Sequence, residues 1–357
     1  MRGIEPLLHA TIAREASDLH LSAGRPPLLR LHGELVALDH PPLARADTRA
    51  LCYGVLAEAQ RRRFEADREL DFAVMIPGVG RFRGNLYMAR GTVGGAFRVI
   101  PMEPPTLDRL GLPQVVASFA RLRRGLVLVT GATGSGKSTP LAALVDLVNR
   151  ERSDHIVSLE DPIEFLHEPK GCLVTQREVS SDAAGFGPAL KHVLRQDPDV
   201  VLVGEMRDRE TIEAALTVAE TGHLVLSTLH TGSAVQTLTR IVDAFPPHQQ
   251  AQIRAQLSLV LQAVVAQQLV RRRDGTGRAL AAEVLVVTPA VRNLVRDEKV
   301  HQVYSQMQVG HAGTGMQTMT RALASLVERG VIAADDAVMQ ATEPDELRQL
   351  LGLRGQG

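Results

Sequence analysis

Hydrophobic positions are distributed differently in the first hundred residues and in the rest of the chain. The first part mixes one helically spaced segment with short strand-like runs that are separated by glycine turns. From about residue 108, short unbroken apolar runs alternate with helical segments, which is typical of buried parallel strands joined by helices. The pattern predicts an α/β protein whose main sheet is preceded by a smaller α+β domain.

The N-terminal elements can be assigned from local patterns. The segment PLLHATIAREA has helical spacing, and PPLLRLHGELVALD is typical of a strand pair that turns at Gly33. The longer run ELDFAVMIPGVGRFRGNLYMARGTVGGAFRVI indicates successive strands around glycine turns. The proline-rich stretch PMEPPTL, residues 101–107, predicts a linker, so that residues 1–100 form the first domain.

The main sheet is expected within residues 108–289. Its predicted strands include LVLVT, HIVSLE, DVVLVGE and HLVLSTLH, which indicate a mostly parallel sheet with helices on both faces. The most apolar later stretch, LSLVLQAVVAQQLV, contains three glutamines and is interpreted as a buried helix, because it falls short of a membrane span. Residues 290–357 are expected to be helical, with a glycine-rich break at VGHAGTGMQ.

A phosphate-binding sequence, GATGSGKSTP, follows the first of these strands. Its glycines, lysine and serine occupy the fixed positions of G-x-x-x-x-G-K-[ST], in which backbone N–H groups surround a triphosphate, the lysine neutralises its oxygens and the hydroxyl binds Mg²⁺. Pro140 would lie in the first turn of the following helix, where its missing N–H has no intrahelical partner. The sequence therefore predicts an ATP and Mg²⁺ site. Its expected ligands are Gly131, Thr133, Gly134, Ser135, Gly136, Lys137, Ser138 and Thr139.

The composition supports this prediction and excludes other classes. Of the 40 lysines and arginines only four are lysines, and one of these is Lys137, where a compact ammonium group is needed. The formal net charge is zero, so the overall charge does not favour a nucleic-acid partner. Cys52 and Cys172 cannot form a tetracysteine zinc site and indicate a reducing compartment. The N-terminal residues lack the long apolar segment of an export signal, so a cytoplasmic location is expected.

Acidic residues follow two of the predicted strands. Glu160, Asp161 and Glu164 come after HIVSLE, where one of them could orient or deprotonate the attacking water. The same segment also fits a capping box, with Asp161 as the N-cap and Glu164 at N3, and the local pattern does not decide between the two. Glu205 ends the apolar strand DVVLVGE. This is the position of a Walker B acid, which would hold Mg²⁺ beside Ser138.

Two histidines and a helix cap lie around the next strand. Asp208 is predicted to cap the helix RETIEAALTVAETG, which ends at Gly222. His223 and His230 flank the strand HLVLSTLH. Each fits an ordinary side chain with satisfied hydrogen bonds, which the local pattern favours, or a group that senses the γ-phosphate.

Four arginines of the first domain have two interpretations. Arg81, Arg83, Arg90 and Arg98 fit a solvated sheet face in a chain that is rich in arginine. They also fit an arginine finger, which reaches the γ-phosphate across a domain or subunit interface. Spacing alone does not choose between them.

Together these segments resemble the secretion and pilus ATPases over nearly the whole chain. GATGSGKST resembles the family's Walker A loop, LEDPIEFLH its Asp box, DPDVVLVGEMRD its Walker B segment and AETGHLVLSTLHT its His box. ASDLHLSAGRPPLLRLHGEL resembles the family's opening, and PAVRNLVRDEKVHQVYS is similar to the C-terminal signature of its retraction motors. The departures are Pro140, Ala132 and Val291 in place of a usual threonine, proline and isoleucine, and none removes a ligand.

The resemblance implies a PAS-like N-terminal domain, a RecA-like P-loop ATPase core and a helical C-terminal part, assembled as a homohexameric ring with nucleotide between the two domains. It implies ATP hydrolysis with Mg²⁺ that powers type IV pilus retraction, and therefore pilin depolymerisation and twitching motility. The residues that match the family's functional positions are Glu164 as the catalytic glutamate, Glu205 as the Walker B acid, His223 and His230 of the His box, and Arg83, Arg98 and, more weakly, Arg81 as phosphate-binding arginines.

The resemblance also implies partners and a location. A motor of this kind acts at the cytoplasmic face of the inner membrane, at the pilus base, on a platform protein and beside a paralogous pilus ATPase. The extension ATPases typically contain a tetracysteine zinc module, and its absence favours retraction. One alternative is a nucleotide-binding accessory subunit, against which the presence of Glu164 and Glu205 argues. Another is a small-molecule P-loop kinase, against which the large N-terminal domain and the lack of an acceptor-site lid argue.

Overall fold

The computed structural model describes residues 3–31, 33–101, 103–179 and 181–353. Contacts within the chain divide it into two compact units. The first unit is Met1–Glu103 with Glu164–Leu166, and the second is Pro104–Ile163 with His167–Gly357.

The first unit contains a six-stranded antiparallel sheet in the order β3-β2-β1-β6-β5-β4. Its strands are β1 (Asp18–Leu21), β2 (Leu28–Leu31), β3 (Glu34–Ala37), β4 (Glu69–Ile76), β5 (Gly80–Ala89) and β6 (Thr92–Ile100), and its helices are α1 (Glu5–Ala13), α2 (Arg45–Tyr53) and α3 (Glu58–Asp67). Alternate side chains of the central strands, among them Phe82, Leu86 and Phe97, are fully buried. The predicted helix, the strand pair that turns at Gly33 and the later run of strands are all confirmed.

The second unit is built on a seven-stranded mixed sheet in the order β13-β12-β7-β11-β10-β8-β9. Its strands are β7 (Gly125–Thr130), β8 (His155–Glu160), β9 (Leu173–Glu178), β10 (Val200–Val203), β11 (Leu224–Leu229), β12 (Leu261–Arg271) and β13 (Arg278–Val286). Only the β12–β13 pair is antiparallel within the described residues. The four strands that were predicted from apolar runs are therefore confirmed, and they lie next to one another.

Helices cover both faces of this sheet. They are α4 (Val115–Ser118), α5 (Ser138–Glu151), α6 (Phe186–Val193), α7 (Arg209–Glu220), α8 (Ala234–Asp243), α9 (Pro247–Val260), α10 (Pro289–Arg296), α11 (Val303–Thr314), α12 (Met319–Glu328), α13 (Ala334–Gln340) and α14 (Pro344–Leu350). Two separate hydrophobic clusters lie on the two faces, and a third joins the end of the β12–β13 pair to α12, α13 and α14. The predicted fold class, an α/β core with a smaller α+β domain and a helical C-terminal part, is confirmed.

One prediction of secondary structure is wrong. The stretch LSLVLQAVVAQQLV is not one buried helix, because α9 ends at Val260 and the remaining residues form β12. β12 is hydrogen-bonded to β7 on one side and β13 on the other, and a strand buried on both faces has no alternating pattern to distinguish it from a helix. The predicted break at VGHAGTGMQ is confirmed in its C-terminal half: α11 continues through Gly310 and Gly313 and ends at Thr314, and the turn comes at Gly315, with φ of 75°.

Candidate functional site

The topology of the second unit brings three chain segments to one edge of its sheet. β7, β11 and β10 are parallel neighbours, so their carboxyl ends lie side by side. The phosphate-binding loop, residues 131–138, follows β7, while Glu205 follows β10 and His230 follows β11. In parallel α/β sheets this edge is the usual place for a ligand.

Lys137 lies inside the phosphate-binding loop. Its Nζ donates hydrogen bonds to the backbone oxygens of Gly131, at 2.9 Å, and Ala132, at 3.0 Å, and the residue is only 9% exposed. The loop passes directly into α5, whose first residue is Ser138 and whose first turn contains Pro140, as predicted. The lysine is thus held by two backbone oxygens of the loop, next to the positive N-terminal end of a helix.

The glycines of this loop occupy backbone conformations that other residues rarely adopt. Gly131, Gly134 and Gly136 have φ values of 150°, 78° and 80°. A Cβ at Gly131 would overlap the backbone oxygen of Gln267, whereas a Cβ at Gly134 would meet open space. Gly131 is therefore required by a neighbouring strand as well as by its own φ, while Gly134 is required by φ alone.

Gln267 supports the loop from β12, and the sequence analysis missed it. Its Nε2 donates a 2.6 Å hydrogen bond to the backbone oxygen of Ser135, and the residue is 3% exposed. Within the described residues, Oε1 of Gln267 and Oγ of Ser135 are buried without a hydrogen-bond partner. The sequence did contain a signal for this role, the pair Gln267 and Gln268 within an apolar run. Buried polar side chains need hydrogen-bond partners, so such a pair indicates a specific contact.

His230 links the loop to Glu205. Its Nε2 is 3.0 Å from Oε2 of Glu205, and its Nδ1 is 3.5 Å from Nζ of Lys137 and 3.4 Å from Oγ1 of Thr133. Because an ammonium group only donates, Nδ1 acts as the acceptor and Nε2 carries the proton that it donates to Glu205. Glu205 also forms an ion pair with Arg207. Four predicted site residues, Thr133, Lys137, Glu205 and His230, are thus brought together.

The segment after β8 does not form the capping box that was one interpretation of it. The described residues between Asp161 and Lys170 contain no helix. The backbone N–H of Ile163 instead donates to Oε2 of Glu178, and that of His167 to Oε1 of Gln176, so side chains of β9 provide acceptors for two amides of this segment. Glu160 is buried and accepts hydrogen bonds from Ser158 and Gln176, whereas Glu164 is exposed.

Arg83, Arg98 and Glu164 belong to the first unit. Arg83 and Arg98 lie opposite each other on β5 and β6, and Nε of Arg98 is 2.8 Å from Oδ1 of the buried Asp18. The roles that the resemblance implies for these three residues stay predictions.

Two residues near the site have structural roles. Asp208 caps α7, since its Oδ1 accepts a 2.8 Å hydrogen bond from the backbone N–H of Thr211, as predicted. His223 lies just past the end of α7, and its Nδ1 is 3.2 Å from the backbone oxygen of Val218. The local interpretation of His223, an ordinary histidine with satisfied hydrogen bonds, agrees with this position.

His167 is a buried histidine that stays neutral near pH 7. It is 7% exposed, and burial lowers the pKa of His167 to about 4; the charge of Asp146 opposes this to a smaller extent, and that of Lys170 adds to it. Its Nδ1 is buried without a partner in the described part of the chain. An imidazolium at this position would therefore lack the hydrogen bonds and solvent that a charge requires.

Acidification is expected to destabilise the protein through His167. The unfolded chain binds this proton near pH 6.5 and the folded chain only near pH 4, so the free energy of unfolding should decrease as pH falls through that interval and be constant above it. The midpoint of urea unfolding, measured across the interval, checks this. His167→Gln should flatten the slope, whereas His248→Gln, at an exposed position, should leave it unchanged. An equal slope in the His167 variant would contradict the assignment.

None of the helices in the described ranges, 3–31, 33–101, 103–179 and 181–353, has both the length and the apolar content needed to cross a bilayer. In the same residues, no cluster of three or more His, Cys, Asp or Glu side chains is arranged to hold a metal ion.

Comparisons with known proteins identify the family of this chain. Residues 112–276 match the family model of the Type II/IV secretion system proteins. The chain is 48% identical to the type IV pilus retraction ATPase PilT of Pseudomonas aeruginosa over 342 residues, which cover 96% of this chain and 99% of PilT. It is 43% identical to the type IV pilus ATPase PilU of the same organism over 349 residues, covering 98% of this chain and 91% of PilU. A crystal structure of the pilus retraction motor PilT with bound ADP is similar with a TM-score of 0.91 at 45% identity, covering 97% of this chain and 99% of that one. The chain therefore belongs to the secretion and pilus ATPases, and it is an ATPase homologous to the pilus retraction motor PilT.

Proposed function

We propose that this chain is a Mg²⁺-dependent ATP-hydrolysing motor, which assembles as a homohexamer and powers type IV pilus retraction from the cytoplasmic face of the inner membrane. The observation that supports it most is the hydrogen-bonded series from Lys137 through His230 to Glu205 at the carboxyl ends of three adjacent strands. Similarity to PilT over nearly the whole of both chains supports the mechanical task. The bound ADP of the PilT crystal structure supports a nucleotide as the ligand.

ATP binding would exchange hydrogen bonds within the phosphate-binding loop for bonds to phosphate. Nζ of Lys137 would leave the carbonyl oxygens of Gly131 and Ala132 and donate to β- and γ-phosphate oxygens. The backbone N–H groups of the loop and of the first turn of α5 would donate to the remaining oxygens. Gly131, Gly134 and Gly136 already have the positive φ values that a loop curling around a phosphate requires, so little backbone rearrangement is expected.

The residues near the loop have the right chemistry for Mg²⁺. A serine hydroxyl and a carboxylate are the hard oxygen ligands that this ion prefers, and Ser138 and Glu205 supply them from α5 and from the segment after β10. When bound, the ion would neutralise charge on the phosphate oxygens.

Hydrolysis requires a base and additional positive charge, which we assign to the first unit. The Glu164 carboxylate would accept a proton from the attacking water, while the water oxygen bonds to the γ-phosphorus and ADP departs. Arg83 and Arg98 would donate to the phosphate oxygens of their own or a neighbouring subunit. His230 contacts both Lys137 and Glu205 and would thereby relay the nucleotide state to the segment that follows β11.

The dependence of ATP hydrolysis on protein concentration tests this proposal. If sites are completed between subunits, the rate per subunit should rise steeply with concentration and reach a plateau, in step with the appearance of a hexamer in sedimentation. Addition of small-molecule hydroxyl acceptors should not change the phosphate yield, which distinguishes a motor from a kinase. ATP binding without hydrolysis at any concentration would contradict the proposal and favour an accessory subunit that works beside an active paralogue.

A further inference from the structure

A buried carboxylate on β13 joins the first residues of two helices. Glu283 is 3% exposed. Its Oε1 accepts a 2.7 Å hydrogen bond from the backbone N–H of Ala234, the first residue of α8, and its Oε2 accepts one of 3.3 Å from the N–H of Met319, the first residue of α12. Burial raises the pKa of Glu283, and the two N–H donors oppose that rise.

Neither helix needs Glu283 as a conventional cap. The side chain of Ser233 caps α8 by accepting from the N–H of Gln236, and that of Thr318 caps α12 by accepting from the N–H of Arg321. These caps satisfy the third amide of each helix. The first amide of each helix still needs an acceptor, and a single side chain provides both. Because the two oxygens belong to one rigid carboxylate, a shift of either helix start changes the acceptor of the other.

A series of hydroxyl groups continues from α8 to the phosphate-binding loop. Oγ1 of Thr237 donates to the backbone oxygen of Ser233 at 2.7 Å and lies 2.6 Å from Oγ1 of Thr231 and 3.5 Å from that of Thr130. Thr231 directly follows His230, and Thr130 directly precedes Gly131. Thr130 and Thr237 are fully buried, so water does not substitute for the contact between these two hydroxyl groups.

On its other side, Glu283 contacts the helix at the centre of the C-terminal part. Leu323 of α12 is fully buried with Ile332, Ala337 and Leu347, which come from the chain after α12, including α13 and α14. Next to Glu283 on β13, Val284 exchanges backbone hydrogen bonds of 2.8 and 2.9 Å with Gln317. The start of α12 is therefore fixed to the sheet at one place, and the Glu283 carboxyl group is part of that attachment.

We infer that Glu283 is a positioning residue that couples the nucleotide site to the C-terminal helices, by holding the start of α8 and the start of α12 on one carboxylate. The inference rests on the proposed function in one respect, since it takes residues 131–138 as a nucleotide site. It adds a path by which a change at Lys137 or His230 reaches α12. A change in the segment after β11 would move Ala234, and Glu283 would transmit this to Met319.

Hydrogen exchange of α12 with and without ADP tests the inference without any need for hydrolysis. In the unmodified full-length chain, saturating ADP should change the exchange rate of the first-turn amides of α12 by about fivefold or more, the lower end of typical coupling between sites. In Glu283→Gln the amide retains one acceptor oxygen and presents an NH₂ group to the other N–H. The ADP-dependent change should then disappear, while the affinity for ADP, measured by titration, changes less than about twofold.

Thr318→Ala is the matched control. It removes the cap of α12 and should accelerate exchange there, but it leaves both hydrogen bonds of Glu283 in place, so the ADP-dependent difference should persist. Thr237→Val interrupts the hydroxyl series at a different point and should reduce the ADP-dependent difference, so the test does not depend on the folding of a single variant. The inference would be overturned, and the proposed function left intact, if ADP did not change hydrogen exchange of α12 in the unmodified chain, or if Glu283→Gln showed the same ADP-dependent change as the unmodified chain. Failure to bind ADP would overturn the proposed function with it.

Discussion

Lys137→Ala is expected to reduce kcat/KM for ATP hydrolysis by about 10³-fold, the upper range for loss of one preorganised donor to a developing charge. The lysine is a buried donor of the phosphate-binding loop, with Nζ within 3.0 Å of two backbone oxygens and 3.5 Å from Nδ1 of His230. The substitution removes the ammonium group that would bind the phosphates. It also removes the hydrogen-bond donor that orients Nδ1 of His230. We therefore expect a lower kcat as well as weaker ATP binding, measured by steady-state hydrolysis and by nucleotide titration.

Two variants separate this effect from a general loss of charge. Lys137→Arg retains the charge, but its planar guanidinium group does not fit a site that is 9% exposed and built for a compact ammonium group, so it should not restore activity. Lys191→Ala removes an exposed lysine that pairs with Glu210 at 2.8 Å, and it should leave hydrolysis unchanged. Hydrolysis by Lys137→Ala within threefold of the unmodified chain, about 0.6 kcal/mol, would contradict the proposed site.

The fold of the second unit was predictable where the local pattern and the long-range environment agree. The apolar run of β7 predicts a strand buried on both faces, and its residues Leu126 to Val129 are fully buried in the middle of a parallel sheet. The loop and α5 follow from a motif whose glycines are needed at positive φ. The Asp208 cap of α7 could be predicted from the sequence because it is a contact between residues only three positions apart.

The remaining features depend on partners that are distant in sequence. The apolar residues after Val260 form a strand because β7 and β13 provide hydrogen bonds on both sides, which no local window contains. Asp161 and Glu164 fit a helix cap in sequence, but the segment is not helical, and two of its amides donate to side chains of the distant strand β9. Gln267 contacts Ser135, which precedes it by 132 residues. Only the tertiary structure reveals that contact.

Glu164→Gln is expected to reduce the rate of ATP hydrolysis by about 10²- to 10⁴-fold, the usual contribution of a general base. The amide has nearly the shape of the carboxylate but does not accept a proton at neutral pH. Because Glu164 is exposed and is assigned to water and not to phosphate, the dissociation constant for ATP should change little. Single-turnover hydrolysis in preassembled protein measures the chemical step separately from binding and assembly.

The choice of Glu164 over its neighbours is testable with the same substitution. Glu168→Gln neutralises another exposed carboxylate of this segment and should leave the rate unchanged. Glu160→Gln should lower the stability of the second unit, because Oε1 of Glu160 accepts hydrogen bonds of 2.7 Å from Ser158 and 3.1 Å from Gln176 in a buried position, but it should leave ATP hydrolysis measurable. If Glu160→Gln abolished hydrolysis in a folded, ATP-binding chain while Glu164→Gln remained active, the base would be the buried carboxylate at the end of β8. Glu164 would then have no part in the chemical step.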